Sequence, residues 1–206
     1  MRSVVLTAAA IGAVAVTAAC GGDGHGSGHT AERPAATATS APVSTTGHNQ
    51  ADIAFAQGMI PHHRQAVQMV ELAERRAGDP QVKSLAGKIK TAQQPEIDQM
   101  TAWLREWGAP TASPSVGGHS MHGIAPGDAM PGMMTAEDMT AMERASGNEF
   151  DRMFLEMMIR HHQGAVQMAS TEMEQGQNPA AKSLAEKIKA DQTAEISQMR
   201  NLLNNR

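Results

Sequence analysis

The residues best suited to chemistry in this chain sit in one short motif that occurs twice. Met59-x-x-His62-His63, followed by Met69, returns as Met158-x-x-His161-His162, followed by Met168. A thioether is a soft ligand and an imidazole a borderline one. Together they select Cu(I), whereas imidazole alone also suits zinc, iron and nickel. On a helix, positions three and four apart face the same way, so Met59 can share one ion with either His62 or His63. Adjacent residues point about 100° apart. One histidine of each pair therefore faces the core seam and the other an adjacent groove, and the two are poorly placed to grip one ion together. The competing reading is structural: a methionine on a helix seam fills space, and a histidine beside a carboxylate can be a packing pair.

A second helix supplies the carboxylates. If the chain turns back near residues 78–79, residue 62 lies level with about residue 95. Glu96 and Met100 then stand at the height of Met59, His62 and His63, and Glu195 and Met199 at that of Met158, His161 and His162. A carboxylate on an apolar seam needs a partner, because burying it alone is costly. A protonated histidine, a metal ion or the Gln93 amide would serve. Free histidine titrates near pH ~6.5, so a histidine-held metal is expected to be lost as pH falls from about 7 towards 5. No histidine has a glutamate three residues before it, which excludes the di-iron carboxylate pattern. The His-Glu-x-x-His, phosphate-loop and Gly-x-Ser-x-Gly motifs are also absent, so the protease, nucleotide and hydrolase readings have no support and no catalytic residue is assigned.

The elements that must position these residues follow from an internal repeat. Residues 52–106 align without a gap on 151–205, with 24 of 55 positions identical. Each copy reads as a helical hairpin. Residues 52, 55, 59, 62, 66, 69 and 73 step by three and four, the spacing of a packed helix. Gly78 suits a helix C-cap. Asp79-Pro80 and Asn178-Pro179 read as N-caps with proline in the first helical position. Pro95 lies within the second helix and is expected to kink it. Two hairpins, at 49–107 and 137–206, make an all-α four-helix bundle spanning 49–206 as one domain. The second hairpin is preceded by a short lead-in helix near 137–145. Between the hairpins, 108–136 is rich in Gly, Pro, Met and His. It carries His119, Met121, His122, Met130, Met133 and Met134 as a secondary, low-affinity metal collector.

Composition and the N-terminus narrow the setting. The net charge of −4 offers no basic stripe for nucleic acid. Three Phe, two Trp and no Tyr argue against a β-sandwich or barrel. Arg2 followed by the apolar run Val4 to Val16 reads as a signal peptide over 1–19. Thr17-Ala18-Ala19-Cys20-Gly21 resembles a bacterial lipobox, with Cys20 the lipidated residue and the membrane reached through its acyl chains. The other reading is secretion after Ala19 with Cys20 a free thiol. Residues 20–48 are polar and Pro/Gly/Ala-rich, a tether without the apolar content for a core.

The strings FLEMMIRHHQGAVQMA (154–169), MPGMMTAEDM (130–139) and QTAEISQM (192–199) resemble the bacterial family called domain of unknown function 305. The first repeat shows the same pattern in MIPHHRQAVQMVELA (59–73) and QQPEIDQM (93–100). The resemblance covers about 49–206. It implies an exported, ferritin-like bundle of two duplicated hairpins and, through the CopM-like members, copper binding by Met and His. Carried onto this sequence, that points to Met59, His62, His63, Met69, Glu96 and Met100, and to Met158, His161, His162, Met168, Glu195 and Met199. Pro61 and Pro95 depart from the signature and turn attention to the second repeat. The expected function is copper sequestration, handover or tolerance outside the cytoplasm, with Cu(I) favoured. A metal-independent structural or partner-binding bundle, a metal-dependent oxidase and a haem carrier stand as alternatives. Metal analysis, an oxidation assay and a visible spectrum separate them.

Overall fold

The computed structural model describes residues 47–111 and 130–205, and among them every element is helical. Helices α1 (Gln50–Arg76) and α2 (Pro80–Glu106) form the first hairpin. A short α3 (Ala136–Arg144) precedes the second, made of α4 (Gly147–Gln175) and α5 (Pro179–Asn204). This is the all-α four-helix bundle of two duplicated hairpins. No described helix is long and apolar enough to cross a membrane.

The helix starts are written in the sequence. Asn49 accepts hydrogen bonds from the Ala51 and Asp52 N–H groups, and Asp52 accepts one from Asn49 N–H in return, a capping box. Thr135 and Asp138 do the same for α3. Asp79 and Asn178 cap α2 and α5, each followed by its proline. A cap of this kind contributes about 1 kcal/mol. Pro61 and Pro95 lie inside α1 and α2, and each helix runs on through its proline.

The end of α1 differs from expectation. Ala77, in an extended conformation, is the C-cap. Gly78 is needed for closeness instead: a Cβ there would stand 3.0 Å from the Gly147 Cα, where Ala77 and Gly147 form an isolated bridge.

The hairpins join through α1 and α4, which run antiparallel. Each start holds the other hairpin's turn. The Asp52 carboxylate accepts from Asn178 N–H at 2.8 Å and from Gln177 N–H at 3.1 Å. Asp151, its repeat equivalent, accepts from Gly78 and Asp79 N–H at 3.0 Å each. Two apolar clusters fill the bundle. One joins Met69, Leu85 and Ile89 to Phe150, Phe154 and Met199. The other joins Phe55, Met59 and Met100 to Ala165, Leu184 and Ile188.

Two flanking segments pack closer than composition suggests. Gly47 and His48 fall in the expected tether, yet Gly47 C=O accepts from Asn178 Nδ2 at 3.2 Å and His48 stacks on Trp107 with centroids 4.8 Å apart. Residues 130–135, at the end of the expected linker, form a strap across α1 and α4. Gln65 holds it by donating to Met134 C=O at 2.9 Å and accepting from Met134 N–H at 2.7 Å. The strap lies so close to α4 that a Cβ at Gly164 would collide with the Pro131 carbonyl, and Gly132 has a left-handed φ of 79°. The expected signal peptide, Cys20, the rest of the expected tether, and His119, Met121 and His122 lie outside the described residues.

Candidate metal centre

Where α1 crosses α4, the core turns polar. His62, His63, His161 and His162 are all fully buried. Helix geometry separates each pair as expected. His62 and His161 face each other across the hairpin interface, with ring centroids 3.7 Å apart. Their neighbours turn back into their own hairpins. His63 Nε2 lies 2.9 Å from Glu96 Oε2, and His162 Nε2 lies 2.7 Å from Glu195 Oε2. Both glutamates thus meet the histidine that hairpin counting set level with them.

The oxygen partners fix which ring nitrogen carries the proton. A carbonyl or a carboxylate can only accept. Burial holds His63 neutral, its pKa below the ordinary value although Glu96 opposes the shift. Its Nε2–H therefore donates to Glu96, and its Nδ1 carries the lone pair. His62 Nε2 donates likewise to Pro131 C=O at 3.1 Å. Burial first, then the neighbouring His63, push His62 down to about 3. Burial and the surrounding histidines hold His161 well below its usual value. The Nδ1 atoms of all four histidines, and Nε2 of His161, are buried without a hydrogen-bond partner, as are both amide atoms of Gln93 and the Gln192 oxygen. Most native buried polar atoms are paired. Here most of the unpaired ones belong to the four histidines and to the glutamines one turn before Glu96 and Glu195; the Glu172 carboxylate oxygens, beside Asp52, are the others.

Sulfur lies next to this layer. Met59 and Met158 are fully buried, one turn before the histidines, and Met100 and Met199 are fully buried one turn beyond Glu96 and Glu195. Met69 and Met168 stand about two turns from the histidine layer, and there the repeats diverge. Met69 is a core residue among Leu85, Ile89 and Phe154. Met168 is half-buried, and a Cβ built on Gly58 would lie 3.7 Å from its Sδ and 3.8 Å from the Met130 Sδ. Gly58 leaves room there for two thioethers, where the second repeat has Met157. Met134 is buried, with Arg160 Nη2 3.8 Å from its Sδ, and Met133 is half-buried. Among the described residues, no three His, Cys, Asp or Glu side chains converge as a ready-made ion site.

Sequence reasoning missed three residues, two at the layer and one away from it. Lys187, on α5, reaches across to Glu96 Oε1 at 2.9 Å. Burial raises the Glu96 carboxyl, and hydrogen bonds from His63 and Lys187 outweigh it and hold it below the usual range. The Pro131 carbonyl is the second; its only trace in the sequence is a glycine in mid-helix, Gly164, which is uncommon enough to signal a close approach. Glu172, buried beside Asp52, is the third, and its repeat equivalent is Ala73.

An all-α bundle of two duplicated hairpins, closed over a buried histidine–glutamate layer, defines the class of protein. A family model described as domain of unknown function (DUF305) matches residues 52–203. The chain belongs to the DUF305 family. It is similar to the crystal structure of a DUF305 protein from Streptomyces coelicolor, provisionally described as secreted, at 32% identity and a TM-score of 0.67, covering 75% of this chain and 91% of that one. It is also similar to CopM in the Cu(II)-bound form, at 34% identity and a TM-score of 0.62, covering 75% and 96%. CopM has also been solved in a Cu(I)-bound form. An uncharacterized protein, L153, of Acanthamoeba polyphaga mimivirus is 42% identical over 55 residues, 27% of this chain and 36% of that protein. The match thus spans about a third of that relative's length.

Proposed function

We propose that the chain is an exported copper-binding protein that takes up Cu(I) at the histidine layer, for sequestration or handover. In this reading Cys20 carries the acyl chains that hold it to the outer side of the cytoplasmic membrane. One observation carries the proposal. His62, His63 and His162 each turn Nε2 to a fixed oxygen acceptor, and each leaves a buried Nδ1 without a hydrogen-bond partner. A metal-ligating histidine has this arrangement, with a carboxylate or carbonyl on the far nitrogen orienting the ring and raising its basicity.

Glu96 and Glu195 then act by orienting His63 and His162 rather than as ligands themselves. The ring nitrogens and the thioethers of Met59 and Met158, with Met100 and Met199 beyond, would hold the ion. Structural zinc prefers four N, S or O ligands in a tetrahedron, and thioethers add little for it. A mixed set of imidazoles and sulfurs suits Cu(I). Met130 and Met168 over Gly58 offer a more exposed pair of thioethers, a route between solvent and the layer. The copper-bound forms of CopM support the choice of metal.

The test is elemental analysis of the full chain, expressed with copper supplied and purified without chelator or a His tag. Copper bound in preference to zinc is expected. Metal-free protein under those conditions would leave the metal-independent bundle as the better reading.

A further inference from the structure

The duplication predicts two equal half-sites, and the structure shows two unequal ones. Glu96 uses both carboxylate oxygens: Oε2 takes the His63 Nε2–H at 2.9 Å, and Oε1 takes the Lys187 ammonium at 2.9 Å. Among the described residues, Glu195 takes only the His162 Nε2–H, at 2.7 Å. The repeat equivalent of Lys187 is Lys88, and among the described residues it makes no ion pair with Glu195. The repeats also differ one turn beyond this lysine. Lys187 is held by Asp191, one turn on, at 2.8 Å, and the equivalent of Asp191 is Ala92. Asp191 first and Glu96 second hold the Lys187 pKa above its usual value, so the ammonium stays charged. Access differs accordingly: the Glu96 side chain is 7% exposed and that of Glu195 is 18%.

We propose that Lys187 is a built-in cation that closes the first-repeat half of the layer, so that an incoming metal ion is taken up on the His162–Glu195 side alone. The inference rests on the copper reading above and adds to it the choice of half-site. An ammonium bonded to Glu96 offsets the charge that would favour a metal on His63. Glu195 carries no such counter-charge. Its carboxylate polarises His162 and favours positive charge beside it. The elements that had to meet are α5 of one hairpin and α2 of the other, so Lys187 is a positioning residue acting through Glu96.

The experiment counts Cu(I) bound per full chain, by competition titration with a chromophoric Cu(I) chelator and by elemental analysis after gel filtration. Lys187→Gln removes the charge without adding a thioether ligand. Lys187→Arg keeps the charge. Lys187→Leu serves if Lys187→Gln does not fold, as judged by circular dichroism. Lys187→Gln, or Lys187→Leu in its place, is expected to bind about one further Cu(I) per chain, with Lys187→Arg matching wild type. A merely structural ion pair would change the melting temperature without changing this count. Equal, non-zero counts in wild type and Lys187→Gln overturn the inference and leave the copper reading standing. No copper on any of these proteins overturns both.

Discussion

At the residue scale, the four layer histidines are defined by what their nitrogens lack. A buried imidazole is disfavoured in its charged form, and His62 falls from an ordinary 6.5 to about 3 for that reason. The sequence alone predicts copper loss by histidine protonation between about pH 7 and pH 5. The structure moves that loss lower at His62, because its buried ring stays neutral through that range. Acid acts on folding instead. The folded pKa lies below the unfolded one, so the stabilisation from His62 is complete above pH 6.5 and is lost as pH falls from 6.5 towards 3. The slope is about 1.4 kcal/mol per pH unit for each histidine so placed. Urea melts of the metal-free chain at several pH values should show stability falling from about pH 6.5 downwards. A His62→Gln variant should show a shallower fall. Equal slopes in the two proteins would mean that His62 titrates as a free residue.

At the element scale, two devices set the geometry, and they differ in how far the sequence shows them. The hairpins are legible: the caps Asn49, Asp79 and Asn178, and the spacing that puts Glu96 level with His63, depend on residues close in sequence or on counting back from a turn. The ties between hairpins are not. That Asp52 holds the turn at 177–178 and that residues 130–135 cross Gly164 are non-local facts, which helix periodicity does not encode. The strap gives one prediction. Gly164→Ala would drive a Cβ into the Pro131 carbonyl, lifting the strap from His62. The cost should be about 1–3 kcal/mol, the range for overpacking, read as a lower thermal midpoint. An unchanged midpoint would show that the strap is held loosely. The tie at Asp52 gives another. Burial, then the Asp52 carboxylate, push Glu172 from an ordinary 4.5 up to about 8. Its folded pKa is raised, so its stabilisation is complete below pH 4.5 and fades as pH rises through 8. Glu172→Gln stays neutral throughout. Between pH 5 and 8.5, wild type should lose stability relative to Glu172→Gln, and parallel curves would contradict the raised pKa.

At the scale of the whole molecule, a duplicated hairpin closes on itself about the His62–His161 contact. This puts two equivalent sets of nitrogen and sulfur groups back to back in one polar layer. The repeat and the family strings make that layer legible in the sequence. Its asymmetry is not, because Lys187 and Met168 gain their roles only from partners in the other hairpin or the strap. The central claim is that the layer binds Cu(I) through both imidazole and thioether groups. A Cu(I) competition titration of the full chain against His161→Ala and Met158→Leu tests it most directly. Met158→Leu nearly conserves volume and should cost under about 1.5 kcal/mol of stability, so a change in affinity is not a folding effect. Weaker Cu(I) binding is expected in both variants, with any zinc binding unchanged in Met158→Leu and weakened in His161→Ala. Wild-type Cu(I) affinity in both variants would contradict it.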